Sequence, residues 1–325
     1  TEPQAEYIVM LQLYRLTNSD IDALNKEYEN LKLVIAGLEA ILNDPEKLKE
    51  VMKKELRKIK DEYAIPRKTE IKDEIHIAVS ANPPTLDTQI SNSNIVGEIA
   101  NCLYEPLFAI DENYEAQPVL AESYSVSDDG KEYTIKIRQD VKFHNGDEMT
   151  ADDVVASMNR WVKKSPKANT LIGDSKFEKV DDYTVKMTVK KASSDIMNVL
   201  ANPVMFGAIY PAKVVEADTD AGITEYIGTG PYKLAEWKQD QYIKLERNDD
   251  YKANDNATSG LAVKKTAATK TIYFDFVSDA STRIAGAKSG QYDIVEEIPL
   301  DNYEEVSKEQ NLKLEVTKGG TLNLF

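Results

Sequence analysis

The chain has 325 residues, enough for about two domains of ~150 residues each. Its apolar fraction of 42% and charged fraction of 30% are typical of soluble globular proteins. The net charge of −16 argues against a general nucleic-acid-binding surface, which would be basic, and the lone Cys102 excludes an intrachain disulfide.

The first seventy residues predict a helical arm. In its first helix, apolar residues recur in alternating steps of four and three, as in the a/d seam of a coiled coil: Leu24, Tyr28, Leu31, Ile35, Leu38 and Leu42. Asp44 and Pro45 predict the cap and the first position of a second helix, which continues to about Tyr63. The arm is therefore expected to need a partner.

Two segments of this arm, TEPQAEYIVMLQLYRLTNSD (1–20) and KKELRKIKDEYAIPRKTEI (53–71), resemble the A subunit of bacterial type II topoisomerases, closest to topoisomerase IV. The matching region there is the C-gate, with its dimer contact and the returning helix of a coiled-coil arm. The resemblance implies a homodimer contact through Gln4, Ala5, Leu11, Leu13, Tyr14 and Leu16. It implies no strand cleavage, because the catalytic tyrosine and DNA gate of that family lie upstream.

The next segment begins with an alternating strand, residues 74–80. A loop with Pro83 and Pro84 follows, because consecutive prolines cannot continue a strand ladder. The polar run Ser91, Asn92, Ser93 and Asn94 precedes a helix over 95–103, and these residue types start helices in their own right.

Residues 118–161 predict a small α+β unit. Two strands, near 124–127 and 133–138, flank a tight turn at Asp128–Gly130. After a second turn, Thr150 and Asp153 have the spacing of a capping box and predict a helix to about Trp161.

Further elements follow in order. Strands are predicted at 181–191, 204–211, 271–277, 292–295 and 312–316, and helices at 193–200, 280–288 and 303–309. The strand–helix–strand unit over 271–295 argues for parallel pairing. The sequence Gly228-Thr229-Gly230 lacks the rest of a phosphate-loop pattern, so its glycines are interpreted as structural.

Several of these segments together resemble the family 5 extracellular solute-binding proteins, the peptide and nickel receptors of bacterial ABC importers. They are ANPPTLD (81–87), DDGKEYTIKIR (128–138), VKFHNGDEMTADDVVASMNRW (141–161), GTGPYKLAEWKQDQYIKLERNDDY (228–251) and DASTRIAGAKSGQYDIVEEIPLD (279–301). The resemblance implies an α/β fold, the first lobe of a type II periplasmic-binding-protein-like receptor with an inserted α+β subdomain, preceded by the helical coiled-coil arm.

The implied domains are the arm at 1–71 and a solute-binding lobe at 72–325. Within the lobe, 72–90 and 228–318 form the main subdomain, 91–227 the insert, and 319–325 the start of a second lobe. The resemblance implies ligand contacts at Ser91, Asn92, Ser93, Asn94, Gly319, Gly320 and Thr321.

The implied function is the substrate-binding component of an ABC importer, which captures oligopeptides or related small solutes by closure of two lobes and delivers them to a membrane permease. The receptor part would work at the extracellular face or in the periplasm, and the topoisomerase-like part in the cytoplasm. No cofactor, metal site or catalytic residue is expected, since His76 and His144 lack metal-ligand spacing and no nucleophile motif is present.

Two alternatives remain open. The chain is expected to be a fragment or an unusual fusion, because it begins with Thr1, shows no signal peptide and combines two unrelated resemblances. It could then act as a topoisomerase IV A-subunit fragment through helical dimerisation, or be a chimera with no function as it stands.

Overall fold

The computed structural model describes Gln4, residues 18–63 and residues 72–316. The chain divides into two units, one before and one after residue 70, and each is described here by itself. None of the helices in these ranges combines the length and the apolar character that a bilayer crossing requires.

The first unit contains two helices, α1 (Asn18–Leu42) and α2 (Pro45–Tyr63). The Oδ1 atom of Asp44 accepts hydrogen bonds from the backbone N–H groups of Glu46 (3.0 Å) and Lys47 (3.4 Å). These bonds satisfy donors that a helix start leaves unpaired, which confirms the predicted cap. Gln4 is helical and exposed; the other predicted dimer-contact residues, namely Ala5, Leu11, Leu13, Tyr14 and Leu16, lie outside the described residues.

Residues 72–316 alternate strands and helices. The strands are β1 (Glu74–Val79), β2 (Phe108–Ile110), β3 (Ala116–Pro118), β4 (Ala121–Val126), β5 (Glu132–Ile137), β6 (Lys176–Asp181), β7 (Thr184–Thr188), β8 (Tyr232–Lys238), β9 (Tyr242–Arg247), β10 (Thr271–Phe276) and β11 (Ile294–Val295). The helices are α3 (Asn94–Leu103), α4 (Ala151–Lys164), α5 (Pro166–Ile172), α6 (Ile196–Leu200), α7 (Ala212–Glu216), α8 (Ala280–Ser289) and α9 (Tyr303–Val306).

The main sheet has five strands in the order β11-β1-β10-β9-β8. Strand β1 pairs in parallel with both β10 and β11, whereas β8, β9 and β10 pair antiparallel. The parallel pairing predicted for the β10–α8–β11 unit is therefore confirmed. Because β1, β10 and β11 run in the same direction, their carboxyl ends meet at one edge of the sheet.

The second sheet has four antiparallel strands in the order β4-β5-β7-β6, so the predicted hairpin over 124–138 is confirmed. Helix α4 packs beside this sheet. The backbone N–H of Thr150 donates to Asp153 Oδ2 at 2.8 Å, as the spacing of the two residues predicted. Trp161, near the end of α4, is among the largest fully buried side chains.

Two groups of buried apolar residues fill the lobe. One surrounds the second sheet and α4, with members from Leu107 to Ala201 and also Ile209. The other surrounds the main sheet and includes four residues of α3, namely Ile95, Ile99, Ala100 and Leu103. Residues between 206 and 223 also belong to this second group. The predicted boundaries of the inserted subdomain, residues 91 and 227, stay a prediction. Because α3 and residues between 206 and 223 pack around the main sheet, the packing favours an inserted subdomain shorter than 91–227.

The predicted strand at 204–211 is wrong. This segment forms turns, and its single ladder contact is an isolated bridge between Pro106 and Ala208. Met205 has a φ of 52°, outside the extended region. The predicted strand at 312–316 is also wrong, and the helix expected over 303–309 ends at Val306.

A buried ion pair joins the loop after β1 to helix α4. Arg160 Nη2 lies 2.6 Å from Asp87 Oδ2, and the two side chains are 5% and 0% exposed. Asp87 also accepts hydrogen bonds from Tyr210 Oη (3.2 Å) and from the backbone N–H of Gln89 (3.1 Å) and Ile223 (3.2 Å). A buried carboxylate is tolerated only when it is fully paired. These contacts therefore fix the position of the loop that leads to Ser91.

We expect Asp87→Asn to lower the free energy of unfolding by about 3 kcal/mol, because it leaves a buried guanidinium with an incomplete set of partners. The measurement is urea unfolding followed by the near-ultraviolet signal of the buried tryptophan. The matched control is Asp174→Asn, whose partner is Lys190 and whose pair is 66% and 73% exposed. This control is expected to lose less than about 1 kcal/mol. Equal losses in the two variants would contradict the role given to Asp87.

Candidate functional site

The carboxyl ends of the parallel strands form one side of the candidate site. Beyond these ends lie Ser80 after β1, Val277 after β10 and Glu296 after β11. The backbone N–H of Val277 donates to Val79 O at 2.9 Å, and that of Glu296 donates to Ala78 O at 3.1 Å. Ligands of α/β sheets bind in the crevice outside such strand ends.

One arginine fixes the ends of two strands. Arg283 of α8 is only 3% exposed, and its guanidinium donates to four backbone carbonyl oxygens. Two follow β10, Val277 O (2.7 Å) and Ser278 O (2.9 Å), and two follow β11, Glu296 O (3.2 Å) and Glu297 O (3.0 Å). The planar fork of arginine suits this arrangement, and it makes the edge of the sheet rigid.

Three glutamates gather at this edge. Ser80 Oγ donates to the carboxylate of Glu297, and Glu98 of α3 hydrogen-bonds with Glu296. Burial, the negative charges of Glu98 and Glu297 and the hydrogen bond with Glu98 together raise the pKa of Glu296 to about 7, and burial is the largest of these causes. Near neutral pH, the Glu296 carboxyl group is therefore divided between its protonated and charged forms.

Glu98, one of these three glutamates, also lines a groove of about 230 Å³. One wall is formed by the start of α3 and the segment before it, and it contains Glu98 and Gly97. The structure brings the four predicted contact residues of this segment together in that wall: Ser91, Asn92, Ser93 and Asn94. Their contact with a ligand stays a prediction.

Helix capping explains only part of this polar segment. Ser93 is the N-cap of α3, with extended φ and ψ, but its side chain makes no capping hydrogen bond. Ser91 Oγ instead accepts from the backbone N–H of Ser93 at 3.3 Å, a local turn. The segment thus presents polar side chains at the mouth of the groove.

Residues 203–206 form another wall of the groove. The sequence analysis did not identify them as part of a site, because it predicted a strand from residue 204 onward. Trp161 Nε1 donates to Met205 O at 2.7 Å, and Thr88 Oγ1 donates to Phe206 O at 3.0 Å. Both donors come from residues distant in the sequence, so no local pattern could have indicated this wall.

The glycines at 228 and 230 are structural, as predicted. A Cβ atom at Gly228 would lie 2.1 Å from Leu103 O, and one at Gly230 would lie 2.5 Å from Cys102 O. His144 accepts a hydrogen bond from the backbone N–H of Gly228 at 3.2 Å, and its other ring nitrogen lies 3.1 Å from Gly230 O. Burial lowers the pKa of His144 to about 4, so its ring is neutral at physiological pH.

Other places in the lobe fit a ligand site less well. A larger depression of about 400 Å³ is lined by Pro118, Arg138 and Asn254, among others, but it lies away from the ends of the parallel strands. Within residues 18–63 and 72–316, no group of three or more His, Cys, Asp or Glu side chains could hold a metal ion. Gly319, Gly320 and Thr321 lie outside the described residues.

The sequence model of the bacterial extracellular solute-binding proteins, family 5 (middle region), matches residues 115–325. The chain belongs to this family. The predicted family and the predicted α/β fold are therefore confirmed.

Individual relatives agree with this result. The chain is 32% identical over 244 residues to the glutathione-binding protein GsiB of Salmonella paratyphi A, a match that covers 74% of this chain and 45% of the relative. The oligopeptide-binding protein AppA of Bacillus subtilis, solved with a nonapeptide, superposes with a TM-score of 0.62 at 29% identity. That match covers 76% of this chain and 48% of AppA.

A third relative binds a different kind of solute. AgaA of A. tumefaciens R10, solved with agropinic acid, superposes with a TM-score of 0.61 at 30% identity over 72% of this chain and 46% of AgaA. The chain thus spans about half the length of the relatives that it matches. The family match lies within residues 115–325, so the topoisomerase resemblance of the arm and the chimera hypothesis stay predictions.

The raised pKa of Glu296 predicts a pH dependence of stability. The folded chain holds this proton between pH 4.5 and about pH 7, where the unfolded chain has lost it. The resulting stabilisation is complete below 4.5 and is lost as the pH rises through about 7. Between pH 4.5 and about 7, the unfolding free energy of the unchanged chain should fall by about 1 kcal/mol more than that of the Glu296→Gln variant. This figure allows for solvent screening of the partly exposed carboxyl group.

Urea unfolding at several pH values measures this difference. Glu304→Gln is the matched control, because that side chain is 89% exposed and lies elsewhere in the lobe. Its pH profile should follow that of the unchanged chain. If the unfolding free energy of the Glu296→Gln variant changed with pH in parallel with that of the unchanged chain, the raised pKa of Glu296 would be contradicted.

Proposed function

We propose that this chain supplies one wall of the solute site in the substrate-binding protein of an ABC importer, and that the solute is an oligopeptide or a related small molecule. The observation that carries the proposal is the polar groove at the start of α3, whose Glu98 hydrogen-bonds with Glu296 after β11, in a chain of the family 5 solute-binding proteins. A second lobe would close over the groove and trap the solute, with no covalent chemistry.

The names of the relatives support a peptide-like solute. GsiB is a glutathione-binding protein, and AppA was solved with a nonapeptide. Glutathione is itself a small peptide, so both ligands carry amide groups, a free ammonium group and carboxylates. Nickel complexes and other small solutes are the nearest alternatives, since the fold also accommodates Ni(L-His) in NikZ of Campylobacter jejuni.

The chemistry of the groove suits such a ligand. The hydroxyl and amide groups of Ser91, Asn92 and Asn94 can exchange hydrogen bonds with peptide groups. Glu98 lines the same groove and offers a negative charge to an ammonium group. In this proposal the ammonium group of the solute therefore points toward Glu98 and the ends of the parallel strands.

The remaining parts of the proposal concern the whole protein. The receptor would work at the extracellular face of the membrane or in the periplasm and would pass its solute to a membrane permease. Support comes from CtaP of Listeria monocytogenes, an ABC transporter substrate-binding protein that superposes with a TM-score of 0.61 at 26% identity. Gly319, Gly320 and Thr321 would contact the solute where the chain crosses toward the second lobe.

We expect Gly97→Phe to weaken solute binding at least tenfold, because the new ring would occupy the groove. Gly97 is helical, and nothing lies within 4 Å of the Cβ position, so the substitution needs no backbone change. The measurement is a titration of the 325-residue chain with glutathione and, separately, with trialanine, followed by NMR shifts of residues 88–101 and 203–206.

Gly37→Phe is the matched control, since Gly37 is also helical with nothing within 4 Å of its Cβ position but belongs to the arm. It should bind the two probes like the unchanged chain. Shift changes confined to other residues, or equal binding by the Gly97→Phe variant, would overturn the placement of the site in this groove.

A further inference from the structure

The groove at the start of α3 has walls of two chemical kinds. The polar wall is the segment 91–94 together with Glu98, and it suits the peptide and ammonium groups of a solute. The apolar wall is a run of four residues: Pro203, Val204, Met205 and Phe206. Polar groups of a solute gain nothing from an apolar wall, whereas an apolar side chain does. The apolar wall therefore indicates a further feature of the solute, an apolar side chain.

Val204 leaves its apolar side chain in contact with water at this wall. The residue is 56% exposed, whereas Phe206 of the same wall is 3% exposed. The buried Asn202 fixes the position of Val204, because its Oδ1 atom accepts a hydrogen bond from the Val204 backbone N–H at 3.2 Å. A valine held at a fixed place in a groove offers apolar surface that a bound side chain can cover.

The backbone of the apolar wall is held in a conformation that its sequence disfavours. Met205 has a φ of 52°, in the left-handed region that residues with a long side chain rarely adopt. The buried Trp161 donates from Nε1 to Met205 O at 2.7 Å, and the buried Thr88 donates from Oγ1 to Phe206 O at 3.0 Å. These two long-range hydrogen bonds preorganise the wall, and strained backbone of this kind concentrates at ligand sites.

The size of the groove limits what it can hold. Its volume of about 230 Å³ is below the roughly 300–1,000 Å³ of pockets that enclose a whole small molecule. The groove therefore has room for one residue of a peptide, and the rest of the peptide extends beyond it. Glu98 and Val204 line the same small groove, so a residue whose ammonium group lies at Glu98 places its own side chain near Val204. The residue that carries a free ammonium group is the N-terminal one.

We propose that the apolar wall selects peptides whose N-terminal residue carries a large aliphatic side chain, such as that of leucine, and that Val204 is the specificity-determining residue. This inference rests on the proposed function, because it uses the same groove and the same contact between the solute ammonium group and Glu98. Its new content is the preference among peptides and the direction in which a peptide enters the groove.

Calorimetric titration of the 325-residue chain with three tripeptides tests the preference: Leu-Ala-Ala, Ala-Ala-Leu and trialanine. Leu-Ala-Ala should bind at least about tenfold more tightly than trialanine, since a single methylene in an apolar pocket already changes affinity by about that factor. Ala-Ala-Leu should bind like trialanine, because its leucine lies outside the groove. NMR shifts of residues 88–101 and 203–206 show whether each peptide occupies the groove.

Val204→Ser tests the specificity-determining residue. The variant should reduce the preference for Leu-Ala-Ala over trialanine by about threefold or more, because it removes apolar surface that only the leucine side chain covers. Val180→Ser is the matched control, since Val180 is 60% exposed on β6 and lies outside the groove. The control should keep the preference of the unchanged chain. Near-ultraviolet circular dichroism checks that each variant stays folded.

The possible outcomes separate this inference from the proposed function. If Leu-Ala-Ala and trialanine both shift the groove residues but bind equally, the preference is overturned while the groove remains the solute site. Equal effects of Val204→Ser and Val180→Ser on the preference would overturn the role of Val204. Equal binding of Leu-Ala-Ala and Ala-Ala-Leu would overturn the direction of entry. If no peptide shifts the groove residues, this inference and the proposed function both fail.

Discussion

The buried ion pair between Asp87 and Arg160 is the interaction on which the fold of residues 72–316 most depends. It connects the loop after β1, which belongs to the main sheet, with α4, which packs on the second sheet. Burial by itself would lower the pKa of Arg160, but hydrogen bonds and charge from Asp218 and Asp87 outweigh burial and raise it. Since Tyr210 and two backbone N–H groups also bind Asp87, the carboxylate is satisfied and the loop has one position.

That position determines both walls of the groove. The loop continues directly into Ser91 and the start of α3, while α4 carries Trp161, whose indole holds the chain at Met205. At the other side of the site, Arg283 binds the carbonyl groups beyond β10 and β11 and so fixes the carboxylates of Glu296 and Glu297 in place. The buried Arg160 thus positions a surface groove whose own residues are mostly polar, and the buried Arg283 positions the strand ends whose Glu296 contacts Glu98 of that groove.

The arm and the lobe are stabilised in different ways. Residues 72–316 bury two large groups of apolar residues, one around each sheet. The arm buries little, because apolar side chains of both its helices, among them Leu31 of α1 and Leu56 of α2, are more than half exposed.

Local patterns in the sequence determined the features that depend on a few neighbouring residues. The cap at Asp44, the bond between Thr150 and Asp153, the hairpin of β4 and β5 and the helical conformation of α1 belong to this group, as do the segments that resemble the solute-binding family. Only the tertiary structure decided the rest. Asp87 meets Arg160 across 73 residues, Glu98 meets Glu296, and residues 204–211 turn where their apolar character predicted a strand. Such contacts depend on how distant elements pack, and a periodicity along the chain carries no information about them.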